Sequence, residues 1–448
     1  MLTQEENDLI THVGPGTPMG NLMRQYWLPM YLSSDIAEND SKPRRVKLLN
    51  ENLIIFRDTS GRAALMTEVC PHRGSSLYWG RNEEDGIRCA YHGWKFAADG
   101  RCADMPNEPA ASNFKDKVRI RSYPVQERNG IIWTYMGPRE TPPPLPDLEF
   151  NCIPPEQITI RRDMQMTNWL QGLEGNIDSS HLSFLHTRLE ANGSADFAGM
   201  APANRGLYYV DNAPVMETHD TQVGVMYGAG RREEPGKVYW RVTQFLFPFY
   251  GMFAPVSLRE CPIQWWVPLD DGAVMKWDVR WNPERAITQE ERERLFLPDP
   301  GGFVEETGDP YTHWRLAADA SNDYLNDYDA QLTKRFNGIP SINLQDKALL
   351  ESMGSIVDRT GEHLGTADAM IIRVRRRLIA AAKALRDAGT VPPGVDEPNA
   401  YAVRTMTTIQ PEGVDPFTVE ADSLKAFTGK PVLSAEAQQA SMRMASPE

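Results

Sequence analysis

An α+β fold built from two unlike domains is what this sequence predicts, and three observations carry the prediction. The chain has 448 residues, more than one hydrophobic core usually serves. Its first third is a series of short apolar runs broken by tight-turn residues, the pattern of a small antiparallel β domain. Beyond residue 150, long strand-like runs alternate with amphipathic helical stretches, so sheet and helix share the second domain.

Residues 1–37 read as a helical segment or arm. MLTQEENDLI has no basic flank, apolar block or small-residue cleavage site, so no secretory leader is expected. Residues 38–138 form the β domain. VKLLNENLIIFRDTSGRAALMTEVC holds three apolar runs separated by an Asn-Glu-Asn and a Thr-Ser-Gly turn. Asp99-Gly100 and Asn129-Gly130 mark two more hairpins, because these pairs favour the left-handed conformations that tight turns require. Prolines crowd TPPPLPDLEF, within 139–155, and predict a linker. In the second domain, 156–390, IDSSHLSFLH reads as helical, while VYWRVTQFLF and QWWVPLDDGAVMKWDVRW read as long strands, the latter turning at Asp271-Gly272. Thr288 with Glu291 fits a capping box, and MIIRVRRRLIAAAKAL after Asp368 predicts a long amphipathic helix. Residues 391–448, rich in small, polar and proline residues, predict an extended arm with little core of its own.

Composition narrows the function. Hydrophobic residues make up 41% and charged residues 24%, ordinary for a globular protein. The net charge of −14 argues against a nucleic-acid surface, which needs a basic face. No run is long and apolar enough to span a bilayer. Five cysteines in such a chain make no disulfide framework, and the expected compartment is the reducing cytoplasm.

Two of those cysteines belong to a pattern: CPHRG places Cys70 beside His72, and CAYHGW places Cys89 beside His92. Zinc accepts two thiolates and two imidazoles, but its usual order puts both cysteines on one element and both histidines on the other. Alternation points instead to a Rieske [2Fe–2S] cluster, with one iron held by both thiolates and the other by both imidazoles. Exchanging two thiolates for neutral imidazoles favours the reduced state, so such centres sit at about −150 to +300 mV, against about −400 mV for plant-type clusters. Tyr91 and Trp94 are candidates to shield the cluster, with plain packing as the alternative, and Arg73 is a candidate to set positive charge near it, with a surface salt bridge as the alternative.

An electron carrier needs a destination. NWLQGLEGNIDSSHLSFLH sets His181 and His186 five apart, with Asp178 three before the first. Two imidazoles and a carboxylate on one face of Fe(II) leave the opposite positions open for dioxygen and substrate. The five-residue spacing does not stack on a regular helix and implies a helix end or distortion. The third ligand is expected far along the chain, among Asp358, Glu362 and Asp368; Asp368, at the mouth of the amphipathic helix, is favoured. A purely electron-transferring protein and a zinc-stabilised binding protein are the rival classes. The long stretch of chain after the cluster motif, carrying its own His-His-Asp set, opposes both.

CPHRG…CAYHGW followed by D-x₂-H-x₄-H resembles the oxygenase (alpha) component of Rieske non-haem iron ring-hydroxylating oxygenases. MLTQEENDLI, YWLPMYLSSDI, FKDKV, NWLQGLEG and DRTGEHLG…D resemble its phthalate dioxygenase group over about residues 1–390. The resemblance implies a helix-grip catalytic domain, an antiparallel sheet with helices. It also implies a homotrimer, sometimes doubled to a hexamer, in which one subunit's cluster feeds its neighbour's iron. Asp178 then bridges a cluster histidine and an iron histidine across that interface. It implies electrons from NAD(P)H through a flavin and iron–sulfur reductase, and cis-dihydroxylation of an aromatic carboxylate with O2. Monooxygenation or O-demethylation is the alternative within the same chemistry. Where many relatives carry Asn, four residues before the bridging Asp, this chain has Glu174, and no ligand is assigned there.

For the substrate, alternation along YWRVTQFLF puts Tyr239, Arg241, Thr243 and Phe245 on one face. A guanidinium there suits a carboxylate, which it grips at two points. Arg205 is a second candidate and Ser180 a third, whereas Arg231 and Arg232 read as a solvated turn.

Overall fold

The computed structural model describes residues 1–109, 111–187, 189, 211–255, 261–296 and 298–426. Thr3 caps the first helix, α1 (Gln4–Thr11), in a full capping box, and Pro18 opens α2 (Pro18–Met23). Three small antiparallel sheets follow. The first joins β2 (Arg44–Leu48), β3 (Glu51–Arg57), β4 (Ala63–Thr67) and β9 (Ser122–Tyr123). The second joins β5 (Arg81–Glu83), β6 (Gly86–Arg88), β7 (Lys95–Ala97) and β8 (Cys102–Asp104). In the third, β11 (Ile131–Tyr135) lies between β1 (Trp27–Leu32) and β10 (Val125–Arg128). The segment expected to be only a helical arm therefore supplies a strand as well. Asn129 and Gly130 turn β10 into β11 with φ of 49° and 75°, as the Asn-Gly pair predicts. Between β2 and β3 the left-handed pair is Leu49-Asn50, one residue earlier than the Asn-Glu-Asn reading placed it.

The second half is built on one eight-stranded antiparallel sheet. Its order is β12 (Ile158–Gln165), β18 (Val274–Trp281), β17 (Cys261–Pro268), β16 (Tyr250–Met252), β15 (Lys237–Leu246), β14 (Gly224–Glu234) and β13 (Val215–Thr221). The eighth strand, β19 (Met406–Pro411), pairs with Lys237–Val242 of β15, along the edge that the short β16 leaves open. Up to residue 426 this corrects the reading of 391–448 as an extended arm with little core of its own. Met406 and Tyr401 are buried, and the Tyr401 hydroxyl donates to the Phe247 carbonyl.

Helix α3 (Trp169–Ile177) lies on β17, and Gly172 permits it: a Cβ there would come within 1.9 Å of the Trp266 ring. Thr288 caps α4 (Gln289–Leu295) as expected. Two more helices, α5 (Tyr328–Thr333) and α6 (Ile342–Ser352), precede the long α7 (Ala369–Ala388), which ends on left-handed Gly389. Helix α7 packs against α1, α2, β13 and β14. One core of aromatic and aliphatic side chains runs from β1 and β11 through the large sheet, while a separate core surrounds the two loops that carry Cys70–His72 and Cys89–His92. No helix among the described residues is long and apolar enough to cross a membrane.

Glu174, the departure noted in the sequence, anchors α3. Its carboxylate accepts from Arg359 Nη2 at 3.0 Å and Arg375 Nε at 2.6 Å, and Arg375 also donates to Glu362 at 2.9 Å. Burial opposes the charge on Glu174, but the two guanidiniums hold its carboxyl below the ordinary 4.5. Glu174→Gln leaves two buried arginines under-compensated and is expected to cost about 3–5 kcal/mol in urea unfolding. Because the native value is depressed, this contribution is present above pH 4.5 and is lost as pH falls through the native value.

Candidate cluster and iron sites

Cys70 and Cys89 sit at the bottoms of two loops that share one hydrogen-bond pattern. The Cys70 amide donates to the Ser75 carbonyl and the Gly74 amide to the Cys70 carbonyl; likewise Cys89 donates to Trp94 and Gly93 to Cys89. Both glycines are left-handed, at φ 77° and 80°, so each loop turns back over its cysteine. Both cysteines are buried and both histidines are part-exposed. The His72 and His92 rings lie 4.5 Å apart, and Trp94 stacks on His72 at 4.3 Å. Arg73 lies over the Tyr91 ring at 5.5 Å. Burial pushes the Cys70 thiol up to about 11, so its thiolate needs a cation nearby. Paired thiols inside and paired imidazoles at the rim fit a [2Fe–2S] cluster with its histidine-bound iron toward the surface.

The second site forms where α3 stops. Asp178 is its C-cap, and its carboxylate caps the turn that follows: it accepts from the Ser180 amide at 2.7 Å and the His181 amide at 3.1 Å. The histidines thus do not share a regular helix, as their spacing implies. Asp178 also accepts from His181 Nδ1 at 3.1 Å. Across the site, Gln345 Oε1 accepts from His186 Nδ1 at 2.7 Å, while Gln345 Nε2 donates to the Ile339 carbonyl at 2.9 Å. Neither a carboxylate nor an amide oxygen can donate, so both rings carry their proton on Nδ1 and turn Nε2 inward.

Those inward nitrogens meet Asp346, which sequence reasoning missed. Its Oδ1 lies 3.1 Å from His186 Nε2 and 3.9 Å from His181 Nε2, and the three donors lie within 4.8 Å of one another. Ligands on one octahedral ion at about 2.1 Å sit roughly 3 Å apart; the Asp346–His186 pair has that spacing, and His181 Nε2 stands somewhat farther out on the same side. Burial opposes charge on both partners, yet His186 holds Asp346 below 3.8, and Asp346 raises His186 above 6.5.

Asp368 is corrected as the third ligand. Its carboxylate accepts from the Gly365 amide at 2.7 Å, a local turn bond at the start of α7, outside the His181–His186–Asp346 group. Asp358 bonds Thr360, and Glu362 pairs with Arg375. A sequence signal existed: INLQDKALL puts three polar residues side by side in a helix whose Leu344, Ala348 and Leu350 are buried, so not all three can face water.

Arg231 and Arg241 lie on the large sheet, and Arg231 reaches Ser179, the residue after Asp178. Ala229 pairs with Arg241 and Arg231 with Tyr239, which puts both arginines on one sheet face as diagonal neighbours. The same face carries Tyr227, whose hydroxyl donates to the Ile177 carbonyl at the end of α3. Arg231 is fully buried and donates to the Ser179 carbonyl at 2.8 Å, which overturns its reading as a solvated turn. Arg241 donates to the Ala254 carbonyl at 3.1 Å. The Ser180 hydroxyl is buried without a hydrogen-bond partner among the described residues. Arg205 lies outside the described residues.

A family model of the Rieske [2Fe–2S] domain matches residues 26–124, and one described as LigXa C-terminal domain like matches 134–438. The chain is 40% identical to the 3-chlorobenzoate-3,4-dioxygenase oxygenase subunit of Comamonas testosteroni, covering 92% of this chain and 96% of that one. It is 36% identical to the phthalate 4,5-dioxygenase oxygenase subunit of Pseudomonas putida (86% and 87%), and 32% identical to the 5,5'-dehydrodivanillate O-demethylase oxygenase subunit of a Sphingobium species (85% and 80%). Dicamba monooxygenase bound to dicamba shares the fold, with a TM-score of 0.57 at 16% identity over 82% of this chain and 99% of that one. With both domain types matched in order and relatives aligned along most of its length, the chain belongs to the Rieske non-haem iron oxygenases, as an oxygenase component.

Proposed function

We propose that this chain is the terminal oxygenase of an aromatic-acid dioxygenase, and the observation that carries the reading is the His181–His186–Asp346 group standing beside a sheet face that bears two buried arginines. Cys70, His72, Cys89 and His92 hold the [2Fe–2S] cluster; His181, His186 and Asp346 hold Fe(II). The cluster supplies electrons singly, and the iron is where dioxygen is reduced. Arg241, with Arg231 beside it, orients a ring carboxylate, and the Ser180 hydroxyl meets a polar group of the substrate. The balanced reaction takes arene, O2, NAD(P)H and a proton to a cis-dihydrodiol and NAD(P)+, with a flavin and iron–sulfur reductase carrying the two electrons. Relatives named for 3-chlorobenzoate and phthalate support a carboxylated ring.

Assembly as a homotrimer or hexamer follows from the same reading. Asp178 is 21% exposed on its side chain, available to a neighbour's cluster histidine, and Val69, Trp79 and Tyr91 expose apolar surface around the cluster loops. O-demethylation is the second reading, favoured by the 32% identity to an O-demethylase subunit.

The test is to reduce the purified protein anaerobically, then add oxygen with phthalate, isophthalate, 3-chlorobenzoate, phenoxybenzoate or a methoxybenzoate, and identify products by mass and NMR. A dihydrodiol from one acid is the expected result. Formaldehyde release from the methoxy acid favours the second reading, and cluster reoxidation with no oxygenated product refutes both.

A further inference from the structure

The two cluster loops are alike in backbone, and the residue five places after each cysteine reaches across to the other loop. In the second loop this residue is Trp94, stacked on His72. In the first it is Ser75, whose Oγ lies 3.2 Å from Cys89 Sγ. We propose that the Ser75 hydroxyl donates to the Cys89 thiolate and sets the cluster's reduction potential above what the four ligands alone would give.

The inference rests on the cluster reading above. Either atom could donate if Cys89 were a thiol, but a cysteine bound to iron is a thiolate and only accepts. Among the described residues the Ser75 hydroxyl has no other partner, whereas the neighbouring Ser76 is engaged with Glu68. The Ser75 carbonyl is already tied to the Cys70 amide at 2.9 Å, so the residue is fixed at its backbone and its hydroxyl is aimed across the loops. A hydrogen bond to a cluster sulfur draws off negative charge, and the reduced cluster carries one electron more than the oxidised one. The bond therefore stabilises the reduced form more and raises the potential. Ser75 is a positioning and tuning residue with no chemical step of its own. Trp94, at the matching place in the other loop, supplies an apolar wall to His72 and no donor to a sulfur.

The experiment is potentiometric titration of the full-length holoprotein without substrate, followed by EPR and visible circular dichroism, on the native chain, Ser75→Ala, Ser75→Thr and Ser75→Cys. The expected result is a lower midpoint in Ser75→Ala, by about a tenfold change in the reduced-to-oxidised ratio, about 59 mV for a one-electron couple. Ser75→Thr, which keeps the hydroxyl, restores the native midpoint. An unchanged midpoint in Ser75→Ala with the cluster signal intact overturns the proposal, as does a drop that threonine shares. If the alanine chain holds no cluster, Ser75→Cys decides: a thiol is the weaker donor, so its midpoint falls below that of threonine, and equality overturns the proposal. A native chain without any Rieske signal refutes the cluster site itself, a different failure.

Discussion

Asp346→Ala is expected to lose the mononuclear iron and at least about 100-fold of product formation, since even residues that only orient a metal ligand cost 10–100-fold. The cluster's spectrum and midpoint should not change. The argument is electrostatic as well as geometric. Asp346 supplies the one charge that both inward nitrogens share, at 3.1 and 3.9 Å. Without it two neutral imidazoles remain, a poor site for a hard divalent ion. Asp368→Asn is the control. It weakens a turn bond to Gly365, so about 1 kcal/mol of stability is at stake and iron should be retained. Metal analysis and turnover on the two variants check both outcomes. Loss of iron in Asp368→Asn and its retention in Asp346→Ala would reverse the assignment.

What could be read from the sequence, and what could not, divides along physical lines. The cluster motif is local: each loop carries its ligands within three residues and its turn glycine at the next place, so Cys70, His72, Cys89 and His92 are identifiable without a fold. Asp178, His181 and His186 are also local, and their spacing announced the helix end that Asp178 caps. Asp346 is not local. It reaches the histidines only because α6 crosses them, and its sequence neighbourhood resembles any polar helix, whereas Asp368 stood in the more conspicuous place at a helix mouth. Arg231 failed for a related reason. Arg-Arg-Glu-Glu looks like a turn, but β14 runs through it to Glu234, and the β14–β15 register carries Arg231 under the iron loop. β19 escaped because a strand that fills a vacant edge of β15 needs few apolar residues of its own.

Asp178→Asn should uncouple the two metals while leaving each in place. One carboxylate oxygen accepts the Ser180 amide, and the other accepts both the His181 amide and the His181 Nδ1 proton. Asparagine must direct its NH2 group at one of these donors, so one side of the cap turns from attraction to repulsion. Burial opposes the charge on Asp178, but the His181 ring and the two amides hold it below 3.8, so at neutral pH it is an anion ready to accept from a second imidazole. That capacity is lost only as pH falls through the depressed value. A chemical reductant should therefore reduce the variant's cluster at the native rate. Reoxidation in the presence of substrate and oxygen should slow by about 10–100-fold, a loss comparable to that of other residues that orient metal ligands. Iron content should stay above that of Asp346→Ala, because His181, His186 and Asp346 all remain. Stopped-flow absorbance of the cluster, paired with metal analysis, separates the alternatives. Fast reoxidation in Asp178→Asn would confine Asp178 to holding His181, and electrons would then have to pass between the centres by another route.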